Sequence, residues 1–263
     1  AYVAGMCFGY WRLRTWAPTI LLASIVLLML VLVPGIGVYV AGARRWLQVG
    51  PIRVQPSEIA KFAVVIFLAR YLVINRRIIT DFKEGFLPVL IPICGVCLLI
   101  LMEPDMGTLL MVAFVSIGLL AAGGAQRKHM AGFVSAGILA VGMLCVIEPY
   151  RLKRLLAFLN PWADPEGSGY QILQGLSALS SGGLVGLGLG ESRAKWLYLP
   201  AEHTDYIFAI IGEETGLIGS LIVLGLFLFL VWRGFRIADK CGNLFGKLLA
   251  LGISMMVGIQ VVL

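Results

Sequence analysis

Residues 206–232 read YIFAIIGEETGLIGSLIVLGLFLFLVW, and only Glu213 and Glu214 carry a charge in this stretch. A helix needs about 20 mainly apolar residues to cross the hydrocarbon core of a bilayer. The stretch is longer than that, and Arg233 follows it directly. It therefore predicts a membrane-spanning helix and places the chain among integral membrane proteins.

The composition of the whole chain indicates the same class. Hydrophobic residues make up 60% of the 263 residues and charged residues 13%, and the mean hydropathy is +0.95, far above that of an ordinary soluble domain. Charge-poor segments of comparable length occur at 17–40, 57–75, 86–102, 108–126, 130–147, 206–232 and 248–263. We expect residues 1–263 to form one all-α, polytopic membrane helix bundle. Both ends of the sequence fall inside hydrophobic segments, as in a piece of a longer protein.

Lys and Arg residues in the short loops predict the orientation, because cytoplasmic loops are enriched in them. One side of the predicted bundle carries the larger set: Arg12, Arg14, Arg76, Arg77, Lys83, Arg127, Lys128, Arg233, Arg236, Lys240 and Lys247. The opposite side has Arg44, Arg45 and Arg53 in its short loops, together with a long connection at about 148–205. We therefore expect the long connection outside the membrane. The inner loops account for most of the net charge of +7, so we expect no nucleic-acid partner.

The long external loop has the composition of a structured segment. It contains the turn-rich Asn160-Pro-Trp-Ala-Asp-Pro165, a predicted short amphipathic helix near 170–180, and the run GGLVGLGLG at 182–190. That run lacks the strand before it and the GKS/T after it that a phosphate-binding loop needs. It favours close packing of a re-entrant or interfacial segment, because Gly permits close backbone approach.

Two short motifs place ionisable residues near the ends of predicted spans. Glu58 and Lys61 lie three residues apart on one helical face, where they can neutralise each other. Such a pair is as consistent with a buried structural contact as with a functional site. In EPDMGT, residues 103–108, Pro and Gly predict a tight external turn. Asp105 there either caps the next helix or contacts a metal ion or substrate.

A set of external cations could hold a lipid headgroup that bears phosphate. Its members are Arg44, Arg45, Arg53, Arg193 and Lys195. Charge-assisted hydrogen bonds from such residues suit phosphate oxygens. Contact with ordinary anionic phospholipids is the alternative.

Carboxylates near the start of the 206–232 span form a further group. Glu213 and Glu214 are adjacent and point about 100° apart on a helix, so only one of them is expected to face a site. Structural pairing with a basic residue of a neighbouring helix is the alternative. In LPAEHTD, residues 199–205, Thr204 can cap the helix, so Asp205 falls in the first turn. Asp205 either stabilises that helix or acts as a general base on a sugar hydroxyl.

Four stretches of the chain, in order, resemble the SEDS family (shape, elongation, division and sporulation). They read GARRWLQVGPIRVQPSEIAKFAVVIFLARYL at 42–72, EPDMGT at 103–108, AFLNPWADPEGSGYQILQ at 157–174 and YLPAEHTDYIFAIIGEETGLIG at 198–219. The similarity covers nearly the whole chain. The sequence around Asn160 and Gly188 resembles the division members of the family more than the elongation members.

The resemblance implies a peptidoglycan glycosyltransferase that polymerises lipid II on the outer face of the bacterial cytoplasmic (inner) membrane. Its implied partners are a class B penicillin-binding protein, other division proteins and membrane lipids, at the division site. It allows a divalent cation, Mg²⁺ or Mn²⁺, although no ligand spacing in the sequence demands one. A lipid II flippase would use the same cavity and cations, and a non-catalytic division scaffold would need none of them. Both remain alternatives.

The family's HTD motif falls on His203 to Asp205, and the resemblance implies that His203 binds substrate and that Asp205 is catalytic. Asp205 would deprotonate the 4-hydroxyl of the acceptor GlcNAc as that oxygen attacks the anomeric carbon of the donor MurNAc. Undecaprenyl pyrophosphate would leave, in an inverting transfer. The family reads LPE.HTD, whereas here Ala201 follows Pro200 and the acid stands at Glu202, which leaves no role assigned to that acid.

The other family motifs imply further substrate-binding residues. Lys61 and Glu58 match the lysine and the acid of QPSE..K, which the resemblance places in a central cavity. Asp105 matches the acid of the EPD turn. The candidates to stabilise the developing pyrophosphate charge are Arg44, Arg45, Arg193, Lys195 and Lys61. The family's first span and its last spans are absent from the sequence, so we expect that the fragment alone can lack activity.

Overall fold

A computed structural model of the chain describes residues 9–40, 43–147, 153, 156–167, 169–192 and 207–262. Within these residues the helices are α1 (Trp11–Leu32), α2 (Pro56–Ile74), α3 (Leu87–Met102), α4 (Met106–Ala122), α5 (Arg127–Ile147), α6 (Tyr170–Ser181), α7 (Ile207–Lys240) and α8 (Leu244–Val262). A π-helical turn, Phe82–Phe86, leads into α3, and a 3-10 turn spans Pro161–Ala163. The strands β1 (Gly37–Val40), β2 (Ala43–Val49) and β3 (Ile52–Val54) lie between α1 and α2 in the chain.

The predicted helical, polytopic membrane fold is confirmed. Of the described segments, four are long and apolar enough to cross a bilayer: α1, the segment Phe82–Met102, α7 and α8. α4 is apolar but shorter. α2 has 19 residues, a length that suits a crossing, and carries Glu58, Lys61 and Arg70. The predicted segments therefore all contain helices.

The boundaries predicted for the first span, 17–40, are wrong at both ends. α1 begins at Trp11, so Arg12 and Arg14 lie in its first turns, where long basic side chains can reach the membrane surface. Pro34 and Gly35 follow the helix, and Gly35 has a positive φ of 95°. The sequence after them is rich in β-branched and aromatic residues, which favour a strand over a helix.

A three-stranded antiparallel sheet in the order β1-β2-β3 follows α1, and an all-α prediction did not include it. Gln48 of β2 pairs with Arg53 of β3, and Val49 pairs with Ile52. Gly50 supplies the positive φ (62°) at the turn between them. The sheet occupies the short loop that was predicted to be external, so it holds Arg44, Arg45 and Arg53 on an ordered scaffold.

The contacts group the chain into two compact units, and each is described by itself. The prediction of a single domain is not tested by this grouping. The first unit, residues 1–133 with 229–263, contains the main core. In α3 the buried side chains follow a helical period: Val89, Ile93, Val96 and Ile100. The core also contains Leu21, Leu28, Ala60, Ala63, Leu68, Leu72, Met111, Val115, Leu119, Phe245, Leu248 and Met256.

Small residues allow close helix packing in this core, as is common between membrane helices. A Cβ at Gly252 of α8 would press on Val65 of α2 at 2.6 Å. A Cβ at Gly118 of α4 would meet the side chain of Met255 of α8 at 2.7 Å. These glycines therefore set how closely α8 approaches its neighbours.

The second unit, residues 134–228, contains most of the long loop and the first part of α7. The short helix predicted near 170–180 is confirmed as α6 (Tyr170–Ser181). The turn-rich stretch before it forms the 3-10 turn Pro161–Ala163. Asp164 accepts a hydrogen bond from the Gly167 amide at 3.1 Å and so closes the next turn, at 164–167. The long loop is thus structured wherever it is described.

Candidate active site

Lys61 is a buried cation that the fold pairs with two oxygens. Its side chain is only 3% exposed, and its Nζ lies 2.8 Å from Glu58 Oε1. The Nζ also donates to Gln260 Oε1 of α8 at 3.3 Å. The predicted pairing of Glu58 with Lys61 is confirmed. The pair is asymmetric, because the Glu58 side chain is 46% exposed while Lys61 is enclosed.

The surroundings of Lys61 are apolar. It borders a small pocket whose other lining residues are Val64, Val65, Met111, Val112, Val115 and Met256. A charge in such surroundings is costly unless it is paired and hydrogen-bonded. Glu58 and Gln260 supply the ionic partner and the hydrogen bond that a buried ammonium group requires. Sequence analysis did not single out Gln260, although a lone amide in the apolar 248–263 segment is the signal that could have found it.

The QPSE and EPDMGT motifs, far apart in the chain, meet at Asp105. Its Oδ1 accepts from the Thr108 amide at 3.1 Å, and its Oδ2 accepts from Thr108 Oγ1 at 2.9 Å. Gln55 Nε2 donates to the same Oδ2 at 3.0 Å and to Ser57 Oγ at 3.0 Å. The predicted helix cap is confirmed. Asp105 also joins the start of α2 to the start of α4, so two loops predicted on the outer side lie together.

Arg45 closes the end of α3. Its guanidinium donates to the backbone carbonyls of Glu103, at 2.8 Å, and Pro104, at 2.5 Å. A cation at this end of a helix satisfies carbonyls that have no partner within the helix and complements the helix dipole. Arg45 therefore has a structural task that the sequence did not reveal.

The arginines of the sheet face different ways. The register between β1 and β2 shifts at Arg45, because Val38 pairs with Trp46 while the next residue, Tyr39, pairs with Arg44. This bulge interrupts the regular alternation of side chains along β2. Arg53 pairs with Gln48 across β2 and β3, and the bulge lies between Gln48 and Arg44, so Arg44 and Arg53 do not share one strand face. Arg45, at the bulge, is the arginine that bonds the end of α3.

Glu103 is a buried acid that the sequence did not mark. Its side chain is 0% exposed, and neither carboxyl oxygen has a hydrogen-bond partner. Burial, followed by the negative charge of Asp105, raises the pKa of the Glu103 carboxyl to about 8, and the charge of Arg45 opposes that shift. The carboxyl is therefore mainly protonated at neutral pH. Arg45 bonds the backbone carbonyl of Glu103, not this side chain.

In the second unit α7 is broken at Gly216. Gly216 has φ 68° and ψ −167°, a region that essentially only glycine occupies. In an unbroken helix the amides of Leu217 and Ile218 would donate to the carbonyls of Glu213 and Glu214. Here the two amides donate instead to Gly183 O at 2.9 Å and Leu184 O at 3.2 Å. The Glu213 and Glu214 carbonyls accept from the Leu187 amide at 3.0 Å and the Gly188 amide at 3.1 Å.

We call residues 182–190 the glycine loop and these four hydrogen bonds the backbone joint. A Cβ at Gly182 would collide with the Gly212 carbonyl, and one at Gly186 would collide with the Glu214 carbonyl. The prediction that this glycine run packs closely is therefore confirmed. The backbone joint satisfies the Leu217 and Ile218 amides and the Glu213 and Glu214 carbonyls at the break in α7, as irregular backbone near a membrane requires.

Glu213 adds a side-chain contact beside the backbone joint. It is 3% exposed, and its Oε2 accepts from Ser192 Oγ at 2.5 Å. Ser192 immediately precedes Arg193 in the chain. The sequence favoured a basic partner for this glutamate, and the structure adds a hydroxyl partner 21 residues away.

Four predicted site residues lie outside the described residues: Arg193, Lys195, His203 and Asp205. Their roles stay predictions. Within the described ranges, no three His, Cys, Asp or Glu side chains form a group that could hold a metal ion. The oxygens of Asp105 already accept protein hydrogen bonds. The described residues thus do not fit a divalent cation, and no step is assigned to one here.

Comparison with known proteins identifies the family. The family model of FtsW, RodA and SpoVE, described as cell cycle protein, matches residues 1–263. Stage V sporulation protein E of Bacillus subtilis is 43% identical over 258 residues, which cover 98% of this chain and 70% of the relative. The probable peptidoglycan glycosyltransferase FtsW of Nitrosococcus halophilus is 43% identical over 262 residues, covering 96% of this chain and 67% of the relative.

Solved structures agree with this relationship. The structure described as "Structural coordination of polymerization and crosslinking by a peptidoglycan synthase complex" is 33% identical with a TM-score of 0.77, and the match covers 97% of this chain and 70% of that one. Rod shape determining protein RodA of Thermus thermophilus is 28% identical with a TM-score of 0.68, and the match covers 99% of this chain and 68% of that one. The SEDS membership predicted from the four sequence motifs is confirmed: the chain belongs to the FtsW/RodA/SpoVE family of cell cycle proteins.

Proposed function

We propose that the chain is a peptidoglycan glycosyltransferase that polymerises lipid II at the outer face of the cytoplasmic membrane. The observation that carries the proposal is the family match over all 263 residues, together with relatives whose names state this activity. The polar contacts of the first unit support it. Arg45, Gln55, Glu103 and Asp105 are gathered where two predicted outer loops meet.

The proposed reaction is the inverting transfer implied by the family resemblance. Asp205 takes the proton of the acceptor 4-hydroxyl, the oxygen bonds to the donor anomeric carbon, and the bond to the pyrophosphate oxygen breaks. The departing pyrophosphate gains negative charge, which nearby cations stabilise most when they are already in place. Arg193 and Lys195 are proposed for this task because they are the cations of the long external loop nearest to Asp205 in sequence.

The structure refines the roles proposed for the other cations. Arg45 is held by two backbone carbonyls and Lys61 by Glu58 and Gln260. We therefore assign both to positioning, since a substrate phosphate would have to displace those partners. Arg44 and Arg53 stay separate candidates for direct phosphate contact.

The proposed partner is a class B penicillin-binding protein. A solved relative is described as a complex that coordinates polymerization and crosslinking, and the second of these steps is the work of a transpeptidase. The curated relatives include both a sporulation protein and FtsW proteins at similar identity. Action at the division site, with other division proteins, therefore stays part of the proposal.

A flippase and a scaffold are the competing functions, and Asp205→Asn separates them from the enzyme. Asn has nearly the same size and can still cap a first turn, but it cannot accept the proton. In the full-length protein with its transpeptidase, we expect lipid II polymerisation to fall by about 100-fold or more while lipid II binding persists. Asp164→Asn changes an exposed carboxylate of the same long loop and serves as the matched control. Polymerisation by a folded Asp205→Asn protein at the control rate would refute the catalytic role and favour the flippase.

A further inference from the structure

The glycine loop presents apolar side chains that its own fold does not cover. Leu184, Val185 and Leu189 are 67%, 78% and 82% exposed, and Leu187 is 43% exposed. The backbone of the same loop is tied down by the backbone joint. The loop therefore holds exposed aliphatic side chains on a fixed backbone. Exposed side chains of this kind are unexpected in a segment that was predicted to lie outside the membrane.

The glycine loop is joined to α7, so the position of α7 in the membrane indicates the depth of the loop. From Leu217 to Trp232 α7 carries no charged side chain, and Arg233 follows on the predicted cytoplasmic side. At about 1.5 Å per residue this stretch is about 24 Å long, slightly less than the hydrocarbon core of about 30 Å. The outer boundary of that core thus falls about 6 Å beyond Leu217, close to the break at Gly216. The backbone joint lies at this break.

The residue composition of the glycine loop suits a position at the membrane boundary. No charged residue occurs from Tyr170 to Gly190. The α7 surface beyond the break is also apolar and exposed, at Leu217 and Ile218, and it continues into the predicted lipid-facing span. Apolar side chains held at the boundary between headgroups and acyl chains enter the acyl region. In water the same side chains would remain an uncovered apolar patch.

We propose that the glycine loop is a membrane-interface anchor whose Leu184, Val185 and Leu189 side chains lie among the outer-leaflet acyl chains. The partner surface is bilayer hydrocarbon. The proposal depends on the predicted membrane topology and not on the catalytic role of Asp205. It means that the long loop is fixed twice, by its backbone to α7 and by its side chains to the bilayer.

Site-directed fluorescence tests the anchor in the full-length protein. Leu189→Cys and Val185→Cys are made in a background without native cysteines and labelled with an environment-sensitive probe. Each is reconstituted in nanodiscs of phosphatidylcholine and phosphatidylglycerol with a shallow spin-labelled lipid and without any polyprenyl lipid. Glu166→Cys, at an exposed charged position of the same long loop, is the control.

We expect the spin-labelled lipid to quench the probes at residues 185 and 189 several-fold more strongly than the control, and aqueous iodide to show the reverse order. Both positions are exposed, so the label should not disturb folding. Strong iodide quenching at 185 and 189 with little quenching by lipid would overturn the proposal. Protection that appears only after undecaprenyl phosphate is added would also overturn it, because the surface would then bind a polyprenyl chain and not the bilayer.

Discussion

Glu103→Gln is the substitution that most directly tests the buried carboxyl at the end of α3. Gln keeps nearly the same size and shape but cannot ionise. The wild-type carboxyl is 0% exposed, and neither of its oxygens is hydrogen-bonded. Arg45 bonds the backbone of Glu103 and remains available to hold the end of α3 in both proteins. Any difference in pH dependence between the two proteins is therefore assigned to the Glu103 carboxyl.

The sign follows from the direction of the pKa shift. Folding raises the pKa of Glu103 from 4.5 to about 8, so the folded state favours the protonated form. The contribution to stability is full below about pH 4.5, declines as the pH rises, and is lost once the pH passes about 8. At about 1.4 kcal/mol per pH unit the whole change is at most about 5 kcal/mol. Between pH 5.5 and 8.5 the wild type should lose about 3 kcal/mol relative to Glu103→Gln.

Thermal unfolding of the purified protein in detergent measures this difference. For a chain of this size, about 3 kcal/mol corresponds to a relative change in Tm of roughly 6–12 °C. Glu84→Gln, at an exposed position of the π-helical turn, should show no comparable pH-dependent difference from the wild type. If the Tm of wild type and Glu103→Gln differ by the same amount at both pH values, Glu103 is paired or hydrated in solution and the reasoning fails.

Three further predictions follow from burial, backbone geometry and loop charge. Glu58→Gln leaves the buried Lys61 charge without its ionic partner, and should lower the Tm by more than Lys61→Met, because the half-exposed Glu58 can be hydrated; equal losses would remove the asymmetry. Gly186→Ala, at φ 88° and against the carbonyl of Glu214, should strongly reduce the yield of folded protein, whereas Gly225→Ala meets nothing within 4 Å and should not; similar yields would argue against the backbone joint. Cys241 should resist a membrane-impermeant thiol reagent in intact cells and react after permeabilisation; labelling without permeabilisation would reverse the predicted topology.

Local signals in the sequence predicted the helices, the Asp105 cap and the pairing of Glu58 with Lys61. The spans are long charge-poor runs, and the other two features depend on residues three positions apart. The cap and the ion pair are each formed within one turn of a helix, where spacing alone brings the groups together. The sheet between α1 and α2 was missed because its strands are short and the first of them continues an apolar run.

The contacts that the sequence did not predict join residues that are distant in the chain. Gln260 meets Lys61 across 199 residues, and Arg45 meets the Glu103 carbonyl across 58. A side chain that bonds a backbone carbonyl leaves no complementary residue type to find in the sequence. Glu103 was not marked as buried because its environment is created by tertiary packing, while its neighbours in EPDMGT indicate only a turn. The candidate catalytic segment, residues 193–206, lies outside the described residues, so its assignment still depends on the family resemblance.

The backbone joint has a consequence for the two residues that flank the candidate catalytic segment. Residues 193–206 leave Ser192, which is bonded to Glu213, and return to the chain at Ile207, where α7 begins. Both attachment points belong to one compact unit. The fold therefore holds Ser192 and Ile207 at a set separation, and the entropic cost of bringing these two residues together is met when the protein folds and not when a ligand binds. A ligand that binds between them does not spend binding free energy on that step.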